Sequence, residues 1–160
     1  MCWNKIITIY PETFICNGDL LSTDLRRNSI TYVGASTFRS VSGLRRLDIW
    51  GNNIYHFNQT SLFAGINVTH LHMSRNRIRY LDKSVFRKQR QLETLILSGN
   101  MLQSLGPDLF TDCTILDSLY ISGKIVLEIS TWSFCGLVKP LRDSPNAPQN
   151  TTLQRHHNGK

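Results

Sequence analysis

Long apolar runs are missing from this sequence. No stretch approaches the roughly 18 consecutive apolar residues that a membrane-crossing helix needs, and the amino terminus lacks the charged-then-apolar pattern of a secretory leader. Cysteine is scarce, with four residues and no C-x-x-C pair, which removes the usual spacing of a zinc centre. The signatures of catalysis are absent as well. G-x-x-x-x-G-K, H-E-x-x-H and G-x-S-x-G do not occur, so a phosphate-cradling loop, a zinc hydrolase helix and a nucleophile elbow are excluded. Acids are few, 11 against 18 lysines and arginines, leaving a formal charge of +7.

What the sequence does have is a period. Leu20, Leu44, Val68, Leu92 and Leu116 stand 24 residues apart, and each opens a phrase of the form L-x-x-L-x-L-x-x-N-x-L: LLSTDLRRNSI, LRRLDIWGNNI, VTHLHMSRNRI, LETLILSGNML and LDSLYISGKIV. With those residues as position 1, Val33, Phe57, Leu81, Leu105 and Ile129 recur at position 14, and Phe38, Leu62, Phe86, Phe110 and Phe134 at position 19. Counting back one period places Asn4 at position 9, Ile9 at 14 and Phe14 at 19, so MCWNKIITIYPETF already fits a repeat.

Alternate residues of a strand face opposite ways, so positions 4 and 6 should point inward while 3, 5 and 7 point out, giving one short parallel strand per repeat. The apolar groups at positions 11, 14, 19 and 22 should line the return that stacks the next strand about 4.8 Å away. Asparagine at position 9 offers both a donor and an acceptor where the strand ends and the chain bends inward. Asn4, Asn28, Asn52, Asn76 and Asn100 are expected to stack as a ladder that frays at Lys124, which has donors only.

This pattern resembles the leucine-rich-repeat superfamily in its 24-residue type. The position 19 phenylalanines are similar to those of extracellular animal arrays such as Toll-like receptors, Slit-type guidance proteins and matrix leucine-rich proteins. The resemblance implies an α/β-type solenoid: a curved parallel β-sheet on the concave face and mostly irregular or short helical convex segments. It covers residues 1–137, as a partial first repeat 1–19 followed by repeats starting at 20, 44, 68, 92 and 116. Residues 138–160, rich in Pro, Asn, Gln and charge, read as a disordered tail. No polar cap covers the first coil and the family's carboxy-terminal cysteine cap has no counterpart. The chain therefore reads as a fragment, and self-association through uncapped ends is expected because Leu20, Leu25, Ile30 and Val33 have only a half-repeat in front of them.

Charge is distributed unevenly. Residues 26–90 hold twelve Arg and Lys against Asp48 and Asp82, whereas residues 91–137 hold Lys124 against five acids. Cys113 falls in the apolar slot at position 22 and reads as a small core residue; Cys135 is the one partner that could bridge to it from an adjacent coil. Sequons at Asn58 and Asn67 mark possible glycosylation sites.

The outward strand positions and their neighbours form the concave surface that solenoids use for recognition. They include Arg26, Arg27, Arg45, Arg46, Asp48 and Trp50 in the first repeats, then His70, His72 and Arg75, then Ile96 and Tyr120. An outward tryptophan among arginines matches interface hot spots, although a cation lying over the indole could equally just cover an exposed ring. His70 and His72 flank Leu71 and share a side, but two imidazoles do not complete a metal site. Asp24 and Asp48 share the position 5 column and read as partners in surface ion pairs rather than an acid/base dyad.

These observations imply a non-enzymatic module with no cofactor or metal, binding a protein ligand through the concave face of a receptor-like or adhesion protein located outside the cell or at its surface. The arginine-rich half leaves open an acidic or sulfated glycan partner, and the missing caps leave open an incomplete gene product with no independent function. Nucleic acid is not an expected partner. The ligand itself is not legible, because repeated residues are structural and variable ones belong to each protein.

Overall fold

A computed structural model describes residues 2–34, 36–55, 63, 65–122 and 128–129. Five three-residue strands, β2 (Ser22–Asp24), β4 (Arg46–Asp48), β5 (His70–His72), β6 (Thr94–Ile96) and β8 (Ser118–Tyr120), form one parallel sheet in chain order. Every pairing is offset by one 24-residue period, with Leu47 opposite Leu71 and Leu71 opposite Leu95. The fold is the parallel solenoid that the repeat implied.

Inward alternation follows the expected register. Leu25, Leu47, Ile49, Leu71, Met73, Leu95 and Leu97 are all buried, joined by Ile30, Ile54 and Ile78 at position 11. Behind them runs a column of rings in which Phe14 stacks on Phe38 at 5.5 Å and Phe86 on Phe110 at 5.6 Å. In the second repeat the ring comes from Phe63, one residue later than Leu62; Phe63 stacks on Phe86 at 6.4 Å. Leu62, Phe57, Phe134 and the side chain of Ile129 lie outside the described residues, as does the segment 130–160 read as repeat end and tail.

The asparagine ladder is present from Asn28 to Asn100. Asn76 is typical: its Nδ2 donates to Ile49 O and Met73 O at 3.0 and 3.1 Å, while its Oδ1 accepts the Ile54 N–H at 3.0 Å. Asn4, at the exposed start of the array, donates to Cys2 O at 3.0 Å, the same two-residues-back bond that Asn28, Asn52 and Asn76 make. Lys124 lies outside the described residues.

Just before each asparagine the backbone turns left-handed. Position 8 has positive φ in five successive coils, at Trp3 (59°), Arg27 (51°), Gly51 (68°), Arg75 (51°) and Gly99 (71°). Glycine meets this demand without strain, whereas an L side chain in this region is disfavoured by its Cβ. Each of these residues donates its N–H to the position 7 carbonyl of the next coil, from Trp3 to Arg26 O through Gly99 to Ser122 O, so the turn is a structural requirement of stacking.

The convex return is lined as expected at positions 14 and 19, where Val33, Leu81, Leu105, Phe38, Phe86 and Phe110 are buried, and departs from the expectation at position 22. Its described regular structure comprises a short 3-10 helix (Pro11–Phe14) and two-residue parallel ladders, β1 (Thr8–Ile9) with β3 (Tyr32–Val33) and β7 (Ser104–Leu105) with β9 (Glu128–Ile129). Position 22 carries buried Val41 and Cys113 but also buried Gln89. Gln89 is tolerated because its amide is fully used: Nε2 donates to Phe63 O and Ile66 O, and Oε1 accepts the Val68 N–H. Cys113 is a free thiol, and burial pushes its pKa up to about 12. Its suggested bridge is therefore not made here, and Cys135 lies outside the described residues.

The first coil covers much of what was expected to stand open. Residues 2–19 bury Ile9 and Phe14 against the array, and Leu25, Ile30 and Val33 are buried, while Leu20 is partly exposed and β2 is the edge strand of the sheet. What stays exposed at this end is a set of outward groups, Trp3, Ile15 and Leu21 among them.

Candidate functional site

The sheet arranges its outward residues in columns, because a 24-residue register places equal positions side by side. Asp24, Asp48, His72, Ile96 and Tyr120 are successive Cα partners in one column; Ser22, Arg46, His70, Thr94 and Ser118 form a parallel one. The position 7 row is broken at Ser74, which is buried despite its outward register.

At the basic end, Arg26 makes a two-pronged contact with Asp24, Nε to Oδ1 at 3.0 Å and Nη2 to Oδ2 at 2.7 Å, and reaches Asp48 Oδ2 at 3.6 Å. The side-chain hydrogen bond from Arg26 holds the Asp24 carboxyl down at about 2. Asp48 Oδ2 also meets His72 Nδ1 at 3.2 Å. An ionised carboxylate only accepts, so His72 carries a proton on Nδ1. The aspartates are thus bound up in a surface ion-pair chain, and Arg46 is exposed beside it.

Trp50 sits half-buried at the next position. The cations over its ring are Arg27, 4.6 Å from the centroid, and Arg75 at 5.4 Å. Arg27 lies on its other side 3.9 Å over Trp3, so Trp3, Arg27, Trp50 and Arg75 alternate ring and cation across adjoining coils. The left-handed backbone at position 8 is what directs both arginines here. Trp3 was missed as a site residue, although it stands one period before Arg27 and the same spacing would have found it.

The histidines turn apart. His72 faces Asp48, while His70 Nδ1 meets Thr69 Oγ1 at 2.9 Å. The Thr69 hydroxyl donates to Arg45 O at 3.1 Å, so its proton is committed to a carbonyl and His70 is not poised to remove it. Among the described residues no three His, Cys, Asp or Glu side chains gather as metal ligands. Ile96 and Tyr120 stand half-exposed at the opposite end of the column. Asn67 is exposed ahead of β5; Asn58 lies outside the described residues. No helix among the described residues is long and apolar enough to cross a membrane.

The leucine rich repeat family model matches residues 20–78 and 66–124. The chain is 31% identical to leucine-rich repeat-containing G-protein coupled receptor 4 of Xenopus tropicalis over 80% of its own length and 13% of that protein. It is 33% identical to podocan of Mus musculus, covering 79% of the chain and 21% of podocan. A solved structure of TLR13 with ssRNA13 superposes with a TM-score of 0.77 at 24% identity, over 86% of this chain and 20% of that one, which is a likeness of fold. The chain spans about a fifth or less of the length of each. Repeat spacing, strand register and asparagine ladder agree with these matches: the chain belongs to the leucine-rich-repeat family.

Proposed function

We propose that this chain is a non-catalytic recognition module that binds a protein ligand through the outward face of its five-stranded sheet, as part of a receptor-like or adhesion protein displayed outside the cell. The observation that carries the reading is Trp50, held half-exposed between Arg27 and Arg75 and followed across the sheet by Ile96 and Tyr120. Clamping by two cations fixes the ring before any ligand arrives, which lowers the ordering cost of binding, and Trp, Tyr and Arg are the residues that dominate interface energetics. That a relative is named as a receptor supports the same role, and Asn67 is the site we assign to glycosylation.

The ion-pair chain disfavours the rival reading of sulfated glycan binding on this face, since Arg26 is neutralised by Asp24 and Asp48 and Arg27 is covered by two indoles. Arg45 and Arg46 are exposed cations outside that ion-pair and indole cluster. The test is binding of the labelled chain to animal cells with and without enzymatic removal of surface heparan sulfate. Binding that survives that removal and falls at least tenfold in Trp50→Ala/Tyr120→Ala supports a protein ligand. Binding unaffected by that variant refutes the concave-face assignment, and binding lost with heparan sulfate and with Arg45→Ala/Arg46→Ala assigns the face to glycan.

A further inference from the structure

The exposed apolar groups of this protein collect on a flank. Of the nine large hydrophobic side chains that stand exposed among the described residues, five fall at positions 10–13 of five successive coils: Ile7, Tyr32, Tyr55, Tyr80 and Met101, each 43–59% exposed. This surface follows the asparagine turn, where the chain leaves the sheet for the convex side. Its positions fall outside the strand columns and three to six places past that of Trp50 in the repeat.

Backbone hydrogen bonds join the successive coils along this stretch. The position 10 N–H donates to the position 11 carbonyl one coil before it, as Ser29 to Ile6 O, Asn53 to Ile30 O, Arg77 to Ile54 O and Met101 to Ile78 O, all at 2.8–3.0 Å. Position 12 repeats the connection where Thr31 donates to Ile7 O and Gln103 to Arg79 O. The apolar groups therefore ride on directly bonded rungs. Four steps of about 4.8 Å span about 19 Å, the reach of roughly six extended residues.

The charge of the stripe has one sign. Lys5, Arg77 and Arg79 are exposed within positions 10–13 of these five coils, and no Asp or Glu occurs there. We infer that this flank is a second docking surface, separate from the concave face, that takes an extended acidic polypeptide segment laid across the coils with its apolar side chains against Tyr32, Tyr55 and Tyr80. Three cations are too few to hold a polyanion by charge alone, and the aromatic rings give an apolar contact that a sulfated glycan chain does not match. The rings provide the contact area; the bases select sign and favour capture at low salt.

The probe is a synthetic glutamate–tyrosine copolymer, measured against heparin and a lysine–tyrosine copolymer. The glutamate–tyrosine copolymer should bind, weaken with salt, and lose at least tenfold in affinity with Tyr32→Ser/Tyr55→Ser/Tyr80→Ser and with Arg77→Glu/Arg79→Glu, whereas Trp50→Ala should leave binding unchanged. Hydroxyl-radical footprinting of the unaltered protein gives a readout independent of variant folding, with protection expected at the three tyrosines and Met101. Equal binding of the lysine copolymer, tighter binding of heparin that ignores the tyrosine changes, or protection confined to the strand face would each overturn the inference. Loss of copolymer binding in Trp50→Ala alone would transfer it to the concave site.

Discussion

Replacing Asn76 by alanine tests the argument that one amide per coil holds this solenoid together. Asn76 is 5% exposed and serves four backbone groups: it accepts from Ile54 N–H and donates to the carbonyls of Ile49, Met73 and Ser74. The structure decides which losses matter. Ile49 O keeps the Asn52 amide at 3.0 Å, and Met73 O keeps that of Asn100 at 2.9 Å, so each of these carbonyls falls from two amide donors to one. Ile54 N–H loses its acceptor inside the core, and a buried orphan donor costs about 1–3 kcal/mol. With the weakened carbonyl contacts the whole change should be about 2–4 kcal/mol, at the upper end of ordinary single substitutions. Chemical denaturation followed by circular dichroism measures it, with exposed Asn67→Ala as the control expected within about 0.5 kcal/mol of the parent. Asn76→Asp sharpens the test, since a carboxyl can still accept from Ile54 N–H but donates to a backbone carbonyl only when protonated, and then through a single O–H. Its folded pKa should be raised, so the deficit relative to the parent should shrink as pH falls from 7 to 4 and grow as pH rises through that pKa. A midpoint for Asn76→Ala equal to that of Asn67→Ala would refute the ladder argument.

Leu95, fully buried between its register partners Leu71 and Leu119, should lose about 2–5 kcal/mol on truncation to alanine, while neighbouring Thr94→Ala stays within about 0.5; equal melting midpoints would overturn the inward–outward register. The Asp24 carboxyl should titrate at about 2 by NMR and move toward 3.8 in Arg26→Ala. Because its folded pKa is depressed, the stability from that pair is present above about pH 4 and is lost as pH falls through about 2; an unmoved titration would mean that Arg26 does not hold it. Cys113 should resist alkylation at pH 8 until the chain unfolds, whereas exposed Cys16 reacts in the native protein, and labelling of both at similar rates would contradict a thiol buried at about 12.

Periodicity is a property of sequence, and it was enough to determine the solenoid, the parallel strands at Leu47, Leu71 and Leu95, and the asparagine positions from Asn28 to Asn100. Each coil repeats one set of local rules, so a contact 24 residues away is as legible as a neighbour. The site was legible as far as residue columns: the Asp24–Arg26–Asp48 cluster follows from position alone. Sequence also set position 8 before asparagine as Trp, Arg or Gly, but it took the backbone to show that all of them turn left-handed and so deliver Arg27 and Arg75 to Trp50. Ser74 sinks where its register says outward, Phe63 supplies the ring one place late, and Gln89 occupies an apolar slot because three backbone partners converge on it. The tyrosine flank was invisible for a related reason. Its members come from different positions between 10 and 13, so no single column of the repeat names them, and only the stacked coils show that Tyr32, Tyr55 and Tyr80 all stay exposed, because exposure is set by what the neighbouring coil covers and not by the residue's place in its own repeat.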